Sequence, residues 1–218
     1  MDTITSNLLK RTDWVQMHPK NPERRLDNDD QIRAVLVRVF GNMNPGGPLS
    51  NPKFDRQAFL RDLAEVSDLR GFSSELGQLK SAQAQVRGYV AEIQAAAADR
   101  RAGKVVEDLD LHVEVNRTGT KIEKTDIDLI SDGTLYQLKV GRSPEAIDKA
   151  AGKLGEWTEN AIAVARSQGK KKIGFRFDEE AMKRYDHEIF QKRLAELKKQ
   201  NPDIEFLPAE KITPPEIP

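Results

Sequence analysis

Apolar positions recur at two different spacings along this chain, and the change from one to the other predicts the architecture. Over residues 29–40, Ile32, Val35, Leu36 and Val39 share one helical face, with Asp27 or Asn28 as N-cap and Gly41 as the stop. Residues 41–52 are dense in Gly, Pro and Asn and predict a loop. A second helix is predicted over residues 55–70, where Phe59, Leu60, Leu63, Val66 and Leu69 form the stripe and Gly71 ends it. A third opens at Ser73 or Ser74 and runs to about Arg101, closed by Gly103. The period then drops to two: Leu109, Leu111, Val113 and Val115 alternate with Asp110, His112 and Glu114, the pattern of a strand with one wet face.

Two short apolar stretches, residues 127–130 and 135–140, flank the turn signal Ser131-Asp132-Gly133 and predict a β-hairpin. Ser143-Pro144-Glu145 then has the form of an N-cap, a first-turn proline and a first-turn acid, starting a helix to about Ser167. Residues 172–177 predict a strand, 178–200 one charged amphipathic helix, and 204–207 a last short strand. The Pro-rich tail from Pro208 is expected to fray. From Ser73 onward this order predicts an α/β fold, a mixed sheet flanked by helices. Residues 1–71 are expected to form a small helical subdomain behind a polar lead-in, and residues 72–218 the α/β domain.

Composition narrows the chemistry. Lys plus Arg and Asp plus Glu number 35 each, so no global field draws in nucleic acid and any basic footprint must be local. The absence of cysteine excludes disulfides, thiolate metal sites and a cysteine nucleophile. His18, His112 and His187 are scattered over loop, strand and helix and form no constellation. No apolar run reaches membrane-spanning length and no signal segment is apparent, so a cytoplasmic chain without a membrane-spanning segment is expected.

Side chains alternate faces along a strand, which pairs Asp126 with Asp128 on one strand of the hairpin and Gln137 with Lys139 on the other. Two carboxylates, an amide oxygen and an ammonium can thus converge at one end of a sheet, a set suited to holding a hard cation next to a phosphate. The same residues also allow a plainer account, in which Asp128 and Lys139 are a cross-strand ion pair worth under about 1 kcal/mol and Asp132 only forms the turn. Trp157 in an amphipathic helix reads as core packing.

A helix containing Gly88-Tyr89-Val90-Ala91-Glu92, a strand reaching Asp128 and a strand with Gln137-Leu138-Lys139 together resemble the core of the PD-(D/E)XK nuclease superfamily. The match spans roughly residues 73–168 and includes the helix after Lys139. The resemblance implies a metal-dependent endonuclease in which Glu92, Asp128 and Gln137 bind the metal and Lys139 positions the attacking water, with Glu75 as the substitute for Glu92. Gln137 departs from the acid usual at its position and removes one negative charge. An all-oxygen donor set points to Mg²⁺, or another divalent cation such as Mn²⁺. Arg142, Lys149 and Lys153 are candidate nucleic-acid contacts.

The run from Lys124 to Gly141 further resembles the carboxyl-terminal nuclease modules of contact-dependent growth inhibition and related polymorphic toxins. That resemblance implies a nucleic-acid substrate, transfer RNA before DNA, a cognate immunity protein as partner, and delivery into a neighbouring cell as part of a larger secreted protein. The alternative is a non-catalytic nucleic-acid-binding or interaction module with a nuclease-like fold.

Overall fold

The computed structural model describes residues 54–79, 83–116, 122–141 and 146–213, which form two compact units dividing between Asp110 and Leu111. The helix expected over residues 29–40 and the loop at 41–52 lie outside the described residues.

In the first unit, α1 (Arg56–Val66) is capped by Asp55, whose side chain accepts the Ala58 N–H at 2.8 Å. It buries Phe59, Leu60, Leu63 and Val66, as its stripe predicts. It ends four residues before the expected Arg70 because Arg70 is engaged elsewhere. The Arg70 guanidinium makes a two-point ion pair with Asp108, and its carbonyl accepts the Leu109 N–H at 3.0 Å. Gly71 follows at φ 88°, where a Cβ would stand 1.6 Å from the Leu109 carbonyl oxygen, so only glycine lets the backbones pass this closely.

The long helix expected from Ser73 is two helices, α2 (Phe72–Gln78) and α3 (Gln83–Arg101). Arg100 and Arg101 in the last turn of α3 pair with Asp68 and Asp62, tying α3 to the region of α1. This joining of α1, α2 and α3 moves the unit boundary from the expected position after residue 71 to Asp110.

Strand β1 (Val106–Asn116) crosses that boundary. Its wet face is drier than the alternation predicts, since Asp108 and Asp110 are both buried, Asp108 by its pairing with Arg70. Asp110 holds a left-handed φ of 52°.

The second unit continues with β2 (Ile122–Ser131) and β3 (Thr134–Lys139), the expected hairpin. Asp132 and Gly133 both have positive φ, 46° and 71°, as a two-residue turn matched to strand twist requires. After α4 (Ile147–Ser167) comes β4 (Lys172–Phe177), parallel to β3 with Lys139 opposite Phe177. Ala146 is the N-cap of α4, and Ser143-Pro144-Glu145 lie outside the described residues.

The charged helix expected over 178–200 is also two, α5 (Glu179–Tyr185) and α6 (Glu188–Gln200), with His187 as the second N-cap. The last strand is β5 (Glu205–Phe206), and a further strand, β6 (Glu210–Lys211), forms in the tail expected to fray. Both pair with β4, giving a mixed sheet in the order β1-β2-β3-β4-β5 with β6 beside β4. The chain is thus α/β, as expected.

The core of this unit lies between the sheet and helices α4, α5 and α6, and gathers Ile130, Leu135, Ile173, Phe175 and Phe177 with Leu154, Trp157, Phe190 and Leu194. Phe175 is its hub, within 6 Å of the rings of Trp157, Phe177, Tyr185 and Phe190, contacts worth about 0.5–1.5 kcal/mol each beyond simple burial. Among the described residues no helix is long and apolar enough to cross a membrane.

Candidate active site

The regular β2–β3 register runs from Ser131 opposite Thr134 to Leu129 opposite Tyr136. One step further the side chain of Asp128 enters the ladder. Its Oδ2 accepts the Leu138 backbone N–H at 2.6 Å, the Gln137 Nε2–H, and the Lys139 ammonium at 3.2 Å. Three successive residues of β3 therefore converge on one carboxylate oxygen. Asp128 is 2 % exposed and Gln137 3 %, whereas Lys139 keeps about two-fifths of its side chain in contact with solvent.

Burial pushes the Asp128 carboxyl up to about 6. The Lys139 ammonium pulls it down, the nearby Asp126 charge pushes it up, and the Leu138 and Gln137 donors lower it by less than desolvation raises it. Asp126 is half-buried, and its backbone carbonyl accepts the Trp157 indole N–H at 2.7 Å. That bond anchors the strand segment bearing Asp128 to α4 and accounts for Trp157 as a core residue.

The exit from β3 is held as firmly. The Asp178 N–H donates to the Lys139 carbonyl at 3.2 Å, and Asp178 Oδ2 accepts the Gly141 N–H at 2.7 Å. Its Oδ1 caps α5 through the Ala181 N–H at 2.8 Å. One buried carboxylate thus joins the end of the Lys139 strand to the start of the helix that carries Arg184.

Beside this cluster, at the carboxyl ends of the parallel strands β3 and β4, lies a cleft of about 190 Å³. Crevices at such strand ends are where ligands bind in α/β sheets. Gln137 and the buried Leu154, Trp157 and Phe177 form its inner wall, and Lys139, Lys153 and Arg184 contribute three cations. Among the described residues no acidic side chain lines it.

Of the residues predicted from sequence, Asp128, Gln137 and Lys139 come together, with Asp126 close enough to shift the Asp128 charge. Lys153 joins them across the cleft, while Lys149, one turn earlier on α4, is exposed and does not line it. Arg142 lies outside the described residues. Glu92 and Glu75 are buried on α3 and α2 of the first unit. Among the described residues no three His, Asp or Glu side chains gather as a metal cage.

Arg184 was not anticipated from the sequence. The signal existed in the helix that follows β4, the parallel neighbour of the Lys139 strand, but reading residues 178–200 as one helix left its facing undefined. No protein-family model matches the chain, and no curated protein and no solved structure matches it significantly.

Proposed function

We propose that the chain is a metal-dependent endonuclease of the PD-(D/E)XK type, hydrolysing phosphodiesters at the cluster of Asp128, Gln137 and Lys139. The observation that carries this reading is Asp128 itself: a carboxylate 2 % exposed with its pKa raised to about 6, beside a cleft whose charged residues, among those described, are all cations. Burying a carboxylate costs several kcal/mol by order of magnitude, and apolar residues of similar size often serve stability as well or better. A site that binds a cation or works on phosphate accounts for accepting that cost.

The donor set fits Mg²⁺. The cluster offers a carboxylate oxygen from Asp128, with Asp126 nearby and an amide oxygen from Gln137 once the amide that donates its Nε2–H to Asp128 turns over, and Mg²⁺ keeps several waters while using one or two carboxylates and substrate phosphate rather than a full protein cage. A divalent cation, when bound, relieves charge on the phosphoryl oxygens and brings a water's pKa toward neutrality.

The protein's own contribution is preorganisation. The Leu138 N–H and the Gln137 amide fix the Asp128 carboxylate in one orientation. Lys139, a compact ammonium 3.2 Å from that carboxylate and open to the cleft, orients the attacking water and offsets charge as it develops. The buried Leu154, Trp157 and Phe177 make the inner wall apolar, which strengthens each charge interaction there.

The same reading takes transfer RNA as the favoured substrate and DNA as the second, with the chain acting as a toxin module that has an immunity partner. This part rests on the sequence resemblance alone. A second reading, a nucleic-acid-binding module without catalysis, is favoured by one observation: the Gln137 amide turns its nitrogen, not its oxygen, toward Asp128.

Incubation with Mg²⁺ against total RNA and supercoiled plasmid, beside Asp128→Ala and Lys139→Ala, separates the two. Cleavage by the wild type, lost in both variants while Lys139→Ala still binds substrate, is the expected result. Cleavage that survives either substitution overturns the site, and a wild type that binds but never cuts supports the second reading.

A further inference from the structure

We propose that Lys153 and Arg184 form a phosphate seat in the cleft, a site that binds the backbone of single-stranded nucleic acid without a metal. The inference rests on the nucleic-acid reading of the same site and extends it to a residue, Arg184, outside the reacting cluster. Two helices build the seat: Lys153 comes from the second turn of α4 and Arg184 from the last turn of α5. The Asp178 clamp holds the start of α5 against the end of β3, so the helix carrying Arg184 is tied to the Lys139 strand by hydrogen bonds.

Charge pairing singles out Arg184. The second unit has four described arginines, and three are committed: Arg166 to Asp203, Arg176 to Glu210, and Arg193 to Glu159 and Glu196. The adjacent Lys183 pairs with Glu180. Among the described residues no carboxylate pairs with Arg184, which instead lines a cleft that contains no acid. A guanidinium presents a planar fork of donors suited to two phosphate oxygens at once.

Size selects the class of group bound. The cleft has a volume of about 190 Å³, and its described charged lining consists of cations. That suits a phosphate with the edge of its sugar rather than a stacked base pair. The ligand is therefore held by backbone charge, and the sequence of its bases is not read at this point.

The test is the salt dependence of binding of a short labelled single-stranded RNA, measured by anisotropy in excess EDTA with the full chain. Arg184→Ala should weaken binding on the order of tenfold and flatten the slope of log affinity against log salt by about 0.7, the value for one phosphate contact on a single strand. Arg184→Lys should restore the slope but not all of the affinity. Lys153→Ala should flatten the slope as Arg184→Ala does.

Arg166→Ala makes the same change in net charge at a paired, exposed position far along α4, and should leave the slope unchanged. If Arg184→Ala loses folded structure, Arg184→Gln is measured in its place. An unchanged slope in the Arg184 variant, or an equal loss in Arg166→Ala, overturns the seat. Because chelator removes the reaction, a wild type with Arg184-dependent binding that never cleaves defeats the nuclease reading alone. Cleavage with Arg184-independent binding defeats the seat alone.

Discussion

Asp128 shows how one residue separates a functional from a structural account. Its folded-state pKa of about 6 lies above the ordinary 3.8. Below about pH 4 it is protonated in both states. Between about 4 and 6 the native protein holds a proton that the unfolded chain releases, so stability falls as pH rises, and above about 6 the full penalty is present and constant. Asp128→Asn should remove this fall. An amide oxygen can still accept the Leu138 and Gln137 donors, so the urea midpoint at pH 8 should equal or exceed the wild-type value while cleavage is lost. A midpoint well below wild type at pH 8 would mean that Asp128 serves mainly as the ion-pair partner of Lys139. The sequence made Asp128, Gln137 and Lys139 legible because strand alternation fixes which side chains can meet. It could not show that Gln137 presents its nitrogen, because the orientation of an amide is decided by its neighbours and not by its spacing.

At the scale of elements, the hairpin was readable because Asp132-Gly133 supplies the left-handed pair its turn requires, and the strands follow from apolar runs too short for helices. The two helix breaks were not readable. Neither residues 79–82 nor Asp186-His187 contain proline or an isolated glycine signal, and the second helix starts afresh through a local bond, His187 Nδ1 accepting the Ile189 N–H at 3.3 Å. The joint between α4 and β2 is a tertiary feature of the same kind, made by the Trp157 indole and the Asp126 carbonyl. Trp157→Phe keeps most of the ring burial and its edge contact with Phe175 but deletes that bond. It should lower unfolding free energy by about 1–2 kcal/mol, read from urea denaturation, because the Asp126 carbonyl loses its donor. An unchanged midpoint would falsify the claim that this bond holds the Asp128 strand to α4.

At the scale of the whole molecule, equal numbers of acidic and basic residues hide a local asymmetry that only the folded chain reveals. Ion pairs engage three of the four described arginines of the second unit, and the fourth, Arg184, lines with Lys139 and Lys153 a cleft whose described lining contains no acid. The extent of the first unit was hidden for a related reason, since the ion pairs of Arg70, Arg100 and Arg101 within it span long sequence separations. The sheet that supports the cleft should be graded in stability. β3 and β4 share six register pairs and are buried almost throughout, whereas β5 and β6 contribute two pairs each and leave Glu205, Glu210 and Lys211 exposed. Pro208 stands between the two short strands and cannot donate to the ladder. Native-state hydrogen exchange should therefore show the amides of Leu135 and Leu138 opening only with global unfolding, and those of Leu207 and Ile212, which donate to the Ile173 and Phe177 carbonyls, opening locally with far lower protection. The Leu138 amide is the sensitive probe, because its acceptor is the Asp128 carboxylate: protection equal to that of Leu135 means the site is part of the rigid core, and protection as weak as that of Leu207 would show that the ladder end carrying Gln137 and Lys139 opens independently.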